Sequence, residues 1–355
     1  MIMDTWAIKR WIRTSFLGRN YLWHYIRYLL NLKKYKSIAS RFSASNSLNK
    51  RREEKRREAW VKYRWNFEEF FLYDYENLTK EQISSFVSEY DKNIFCDLAN
   101  DHKSDLIFHD KWQTYIAFQG YFHRDAILIQ EESDLNTEVY KKFISKHSRF
   151  ILKPVTAATG RGIRVIDTTT NDIETQLKPL LGSSKGSYIA EELIKQHDSL
   201  KVLHPASVNT LRITTFRFND HKTIIIHPFL KIGQNGNFVD NGGQGGIICK
   251  INPDTGIIEA TIDESLNKYD IHPNSGIPLI GFQIPQWRDA IATAKQLANV
   301  LPDVRYVGWD LALTDNGWVL VEGNEKGMFI GFQLPTHQGF RKEFNQICKE
   351  AGIKF

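Results

Sequence analysis

The sequence predicts an α+β protein of two or three structural units behind a basic helical arm. Three observations carry that reading. At 355 residues with 42% apolar side chains, the chain can bury a substantial core. Strand-like runs gather after residue 150, while capped helical segments precede and interrupt them. Charge is unevenly divided: residues 1–64 carry 17 Lys+Arg against 4 Asp+Glu, a net of +13, and the remaining 291 carry 30 against 37, a net of −7. The mildly acidic body has no basic stripe, which argues against a nucleic-acid partner.

Within residues 5–36, Trp6, Trp11, Phe16, Tyr21, Trp23, Tyr25 and Leu29 alternate with Lys and Arg. Such an amphipathic helix can lie on an anionic membrane through residues 1–36, or pack on the main domain or a partner. Residues 37–58 read as a polar linker entering a solvated charged helix. Charges interrupt the first apolar stretch too often for a signal peptide, and no run approaches a membrane span. Cys96, Cys249 and Cys348 form neither a metal pair nor an even disulfide set, so a reducing, cytoplasmic setting is expected. The arm would then touch the inner face of the membrane.

Between Trp60 and Phe150, Thr79 with Gln82 predicts a capped helix over about 79–90. Another helix follows His109-Asp110-Lys111-Trp112, Ala126–Gln130 reads as a strand, and Asn136 caps a helix to about Lys146. In FILKPVTAATGRGIRVID, strands Phe150–Val155 and Ile163–Ile166 flank a loop in which Gly160 and Gly162 permit close backbone approach to phosphate. Lys153 on the entering strand can offer a point charge to that phosphate. The lysine precedes the glycines, so this is no Walker A loop, and alone it is equally an ordinary tight turn.

Tyr188–Ile194 predicts a strand ending in Glu191 and Glu192, whose edge could offer backbone groups to adenine, with Asp198 as a ribose partner. Asn209 and Arg212 lie near the start of an apolar strand, where the Arg fork either snorkels or holds phosphate or carboxylate oxygens. Strands Thr223–Ile232 and Gly246–Ile251 enclose the glycine-rich loop 233–246, expected to act as a lid. Helix Pro285–Leu301 carries a core stripe at Trp287, Ile291, Ala294, Ala298 and Leu301, and His272 reads as a turn histidine.

The segment YVGWDLALTDNGWVLVEGN predicts a hairpin of Tyr306–Leu313 and Trp318–Glu322 turning at Asp315-Asn316-Gly317. Strand alternation places Glu322 and Asn324 on one face, with Asp310 on the partner strand. Two carboxylates and an amide oxygen make a hard donor set suited to Mg²⁺. An ordinary hairpin bearing turn acids is the plain alternative.

The order of these segments resembles the ATP-grasp superfamily, most closely the sugar-transfer-associated ATP-grasp family. The matching stretches are Asp110-Lys111-Trp112, Phe150–Gly162, HPASVNTLRITT, GGQGGI, HPNSG, Ile284–Trp287 and GWDLALTDNGWVLVEGN, covering about 108–335. The resemblance implies two α+β lobes clasping ATP. The units would be an arm over 1–64, a small α/β subdomain over 65–149, a lid lobe over 150–207 and a metal-binding lobe over 208–355. Lys111 and Lys153 would contact ATP phosphates, and the Gly160-Arg161-Gly162 loop would close over them. Glu191, Glu192, Leu193 and Ile194 would form the adenine hinge, and Asp310, Glu322 and Asn324 would hold Mg²⁺. Arg212, with Asn209 grouped beside it, would steady the transferred phosphoryl group or acyl-phosphate. After Asn324, Glu325-Lys326-Gly327 departs from the small residue-Pro-Gly of many relatives, which concerns the acceptor pocket.

The implied chemistry is ligation of a small carboxylate to an amine or sugar acceptor through an acyl-phosphate, on a cell-surface polysaccharide or its precursor. The same motifs would serve a kinase of a sugar or polyol hydroxyl, or a nucleotide-binding scaffold for glycosyltransferases.

Overall fold

In the computed structural model, residues 5–15, 20–41, 50–157, 162–169, 177, 180–181, 186–236 and 245–354 are described. The basic arm is helical: α1 (Thr5–Thr14), α2 (Tyr21–Arg41) and α3 (Lys50–Lys62). It is docked on the body. Arg13 Nε lies 2.6 Å from Asp97 Oδ2, and Arg10 Nη2 donates to the Asn100 carbonyl at 2.7 Å. Tyr28, Tyr35, Ala59 and Trp60 join one core cluster with α4 (Phe67–Leu72). The charged run is more than a solvated face, because Arg56 is buried with its guanidinium 3.9 Å from the Tyr35 ring centroid. No described helix is long and apolar enough to cross a membrane.

The helix expected over 79–90 is broken in two. Its capping box forms between Thr79 and Gln82, but α5 (Lys80–Ser85) stops before an extended Phe86 and Val87. Gln333 takes over there, accepting from Val87 N–H at 2.9 Å and donating to its carbonyl at 3.0 Å. A tertiary partner thus supplies the bonds that helix continuation would have made. Ser88 then caps α6 (Glu89–Ala99). Asp110 caps α7 (Lys111–Ala117) by accepting from Gln113 N–H.

The smaller sheet is antiparallel and made of β1 (Ala126–Ile129), β2 (Arg149–Pro154), β3 (Arg164–Asp167) and β4 (Tyr188–Glu192), in the order β1-β4-β2-β3. Strand β1, counted by sequence with the preceding subdomain, is therefore an edge of this sheet. Strand β4 is flanked on both sides and is no sheet edge. Thr137, not Asn136, caps α8 (Glu138–Lys146), whose Tyr140 and Phe143 pack on Phe150 and Leu152.

The larger sheet comprises β5 (Thr210–Arg217), β6 (Thr223–Ile232), β7 (Ile247–Ile251), β8 (Ile258–Ile262), β9 (Tyr306–Thr314) and β10 (Gly317–Asn324). Its order is β10-β9-β5-β6-β7-β8, antiparallel throughout. Strand alternation splits β5 between two faces. Leu211 and Ile213 meet α9 (Trp287–Val300), which buries Trp287, Ala290, Ala294, Leu297 and Ala298. Ile291, expected on that stripe, is half-buried, and Leu301 lies past the helix end. Arg212, Thr214 and Phe216 share the opposite face, where Phe216 packs with Phe95 of α6 and Phe344 of α10 (Arg341–Glu350). The N-terminal helices cover one end of that face. Its other end is free to build a site.

Candidate active site

A cavity of about 980 Å³ runs between the two sheets, and both contribute to its wall. On the side of the larger sheet it begins with Asp310 on β9. Asp310 is flanked in register by Arg212 on β5 and Glu322 on β10. Arg212 Nε donates to Asp310 Oδ1 at 2.6 Å and Nη2 to Oδ2 at 2.7 Å. Lys231 Nζ of β6 stands 3.2 Å from Oδ2. Burial alone would raise the Asp310 carboxyl, but Arg212 and Lys231 hold it well below the usual carboxylate range.

The Glu322–Asp310 pairing depends on a β-bulge. Leu320 pairs with Leu311, so an unbroken register would set Val321 opposite Asp310. The irregularity between Leu320 and Glu322 moves Glu322 into that place. Asn324 Nδ2 then approaches Glu322 Oε1 at 3.3 Å. Glu322 is exposed to the cavity, yet protein encloses its carboxyl group. That enclosure raises its carboxyl, and the charge of Asp310 raises it further. Two acids and an amide at one point fit a hard divalent cation such as Mg²⁺, whose charge would offset their repulsion.

Across the cavity, Lys153 on β2 lies 3.0 Å from Glu191 Oε1. Arg124 holds the other oxygen, with Nη2 2.6 Å from Oε2, and donates from Nη1 to the Leu320 carbonyl at 2.6 Å. It thereby ties the smaller sheet to the β9–β10 hairpin. Burial pushes Glu191 up, but Lys153 and Arg124 override it and hold its carboxyl at about 2. Lys111, at the start of α7, donates to the Ala157 carbonyl and lines the same wall. Burial lowers its ammonium, with Glu322 opposing that shift.

The other sequence-derived residues divide. Leu193 and Ile194 line the cavity where the chain leaves β4, and Gln196 bridges to Thr314 at the end of β9. That stretch joins the smaller sheet to the larger one. The Glu191 side chain is spent on Arg124 and Lys153, and Glu192 accepts from Asp125 N–H at 3.2 Å. Asp198 is exposed at the start of a one-turn helix, and Lys201 of that turn reaches the cavity instead. Asn209 is turned inward, donating to Gln196 Oε1, Leu200 O and His204 O, so it braces the β4–β5 connection and does not line the cavity. Arg212 likewise sits behind Asp310.

Gly160 and Arg161, with 237–244 of the glycine-rich loop, lie outside the described residues. Gly162 has φ +77°, and a Cβ there would meet Pro154 Cγ at 2.9 Å. His272 is a buried turn histidine whose Nε2 pairs with the Gly233 carbonyl at 2.9 Å.

Sequence reasoning missed Lys231, Arg124 and the pair His109–Glu325, 3.1 Å apart on the cavity wall. The signals were slight: a lone Lys in an apolar strand, and an Arg just ahead of β1. Among the described residues, Asp125, His147 and Glu192 also bring possible ligand atoms within 4.8 Å of one another. Lys146 and His147 already pair with Asp125 there.

Lys111, Lys153, Asp310, Glu322 and Asn324 thus line one cavity between two antiparallel sheets, in a fold of the ATP-grasp type. The chain belongs to the sugar-transfer associated ATP-grasp family, whose profile matches residues 91–349. Among solved structures, it resembles an N5-carboxyaminoimidazole ribonucleotide synthetase in complex with ADP (14% identity, 62% of this chain and 46% of that one, TM-score 0.38). The corresponding synthetase from Staphylococcus aureus with ADP shares 12% identity over 76% of this chain and 59% of that one, TM-score 0.45. The D-alanine–D-alanine ligase from Bacillus anthracis with ATP shares 14% over 71% and 68%, TM-score 0.43. The chain thus spans about half the length of the first two. No curated protein matches it.

Proposed function

We propose that this protein is an ATP-dependent carboxylate–amine ligase acting on a cell-surface polysaccharide or its sugar precursor, for instance joining an amino acid to a sugar acid. The observation that carries the reading is a shared cavity in which Lys111 and Lys153 face Asp310, Glu322 and Asn324. The sugar-transfer association of the family supports the substrate class.

In the first step a substrate carboxylate oxygen bonds to the γ-phosphorus of ATP, and the bond to the β,γ-bridging oxygen breaks, releasing ADP. In the second, the amine bonds to the acyl carbon, the carbon–oxygen bond to phosphate breaks, and phosphate and a proton leave. Lys111 and Lys153 supply positive charge to phosphate oxygens, which matters most where the cleft excludes water. Asp310, Glu322 and Asn324 would hold Mg²⁺, which when bound offsets charge on the phosphates. Arg212 and Lys231 keep Asp310 ionised for that duty. Leu193 and Ile194 flank the base, and His109 with Glu325 lines the acceptor side.

The test is to incubate the protein with Mg-ATP and acid–amine pairs. ADP and free phosphate should appear in equal amounts only when both partners are present, and hydroxylamine should trap the activated acid. Phosphate retained on a sugar hydroxyl would replace this reading with a kinase.

A further inference from the structure

We propose that the outward face of α2, together with Trp11 of α1, docks the protein on an anionic lipid surface. This inference is independent of the chemistry proposed for the cavity. Helix α2 has two apolar faces. His24, Tyr28, Tyr35 and Ala39 are buried on one. Leu22, Ile26, Leu29 and Leu30 recur at helical spacing on the other, and Lys33 continues their line with Lys34 beside it. Leu22 is 63% and Leu30 73% exposed, although packing on the body is already satisfied by the inner face. Trp11 is 58% and Tyr21 66% exposed. Large aromatic and aliphatic side chains left uncovered mark a contact surface.

Charge selects the occupant. Residues 5–41 contain nine Lys+Arg and no Asp or Glu, while the rest of the body beyond residue 64 is net −7. Aliphatic side chains in line with lysines, beside tryptophan and tyrosine, are the chemistry of a helix lying in the headgroup region of acidic lipid. A second copy would bring two such basic faces together, which like-charge repulsion opposes. The acidic body would be held away from the same membrane.

The experiment is co-sedimentation of the full chain with vesicles of phosphatidylcholine alone, or of phosphatidylcholine mixed with phosphatidylglycerol. Binding is expected only to the anionic vesicles, and raised salt should release it. Leu22→Ser with Leu30→Ser should abolish binding. Lys33→Gln with Lys34→Gln should weaken it about thirty-fold, the loss expected for two basic residues near the surface. These side chains are solvent-facing, so circular dichroism melts should match the parent. Should the leucine pair fail to fold, the lysine pair tests the same surface by itself. No binding to either vesicle, equal binding to both, or a dimer in light scattering that the leucine changes dissociate would each overturn the proposal.

Discussion

Arg212 grips Asp310 through two parallel hydrogen bonds, 2.6 and 2.7 Å long, across neighbouring strands of the larger sheet. Both residues are almost wholly buried. An ion pair of this kind is most sensitive to loss of one member, because the survivor keeps its desolvation penalty. Asp310→Asn or Arg212→Met should each lower stability by about 3–5 kcal/mol. Urea unfolding followed by fluorescence measures it. The double change Arg212→Met with Asp310→Leu should regain much of that stability while leaving no ATP-dependent turnover. Single variants as stable as the parent would show that the pair is not a buried unit.

Glu191 sets an acid limit on the smaller sheet. Its carboxyl, ordinarily 4.5, is held at about 2 by Lys153 and Arg124 against the opposing effect of burial. A folded value below the unfolded one means that the stabilisation is complete above the unfolded value and vanishes as pH falls through the folded one. The span corresponds to about 3 kcal/mol. Stability measured from neutral pH downward should therefore fall between about pH 4.5 and 2, and Glu191→Gln should flatten that limb. The same variant should loosen Arg124, which also holds the Leu320 carbonyl, and so weaken nucleotide binding. An unchanged acid limb would remove Glu191 from this role.

Much of the site was legible because strand and turn chemistry act locally. The hairpin turn at Asp315-Asn316-Gly317, the strand Thr223–Ile232 and the strand carrying Lys153 follow from alternation and glycine alone. What was hidden arises from contacts distant in sequence. The bulge after Leu320 decides which side chain meets Asp310, and no alternation rule announces it. Gln333 interrupts a helix 246 residues earlier in the chain through two bonds to Val87. Asn209, just ahead of β5, and Arg212 within it stand out in the sequence, but their partners, Gln196, Leu200 and His204 for the one and Asp310 for the other, lie on segments that no local pattern connects. Which face of α2 meets the body depended on where Tyr28 and Tyr35 found partners.

Gly323 lies between Glu322 and Asn324 of β10 for a steric reason. A Cβ there would stand 2.5 Å from Phe108 Cε1 and 3.0 Å from Trp309 Cζ3. Phe108 is part of the cavity wall and packs edge-on against Trp309. Gly323→Ala should therefore push the ring into the cleft, costing about 1–3 kcal/mol of stability and more in turnover than in folding. Adding Phe108→Leu should return part of the stability. Thermal melts together with steady-state assays of the two variants give the comparison, and a fully active Gly323→Ala protein would show that the ring has room to move.

Glu322 and Asn324 should differ in what they contribute to cation binding. Glu322 brings a charge and shares the cleft with Asp310, whereas Asn324 brings a neutral oxygen from the end of the strand. Displacement of a fluorescent ATP analogue, titrated with and without Mg²⁺, separates the two contributions from turnover. Glu322→Gln should reduce the Mg²⁺-dependent gain in nucleotide affinity about ten- to hundred-fold, the ~1.5–3 kcal/mol of a charged contact. Asn324→Ala should cost less. Both should bind the nucleotide alone about as well as the parent, because Lys111 and Lys153 across the cavity are untouched. If the Mg²⁺-dependent gain survived in both variants, the acids of the hairpin would not be the cation site.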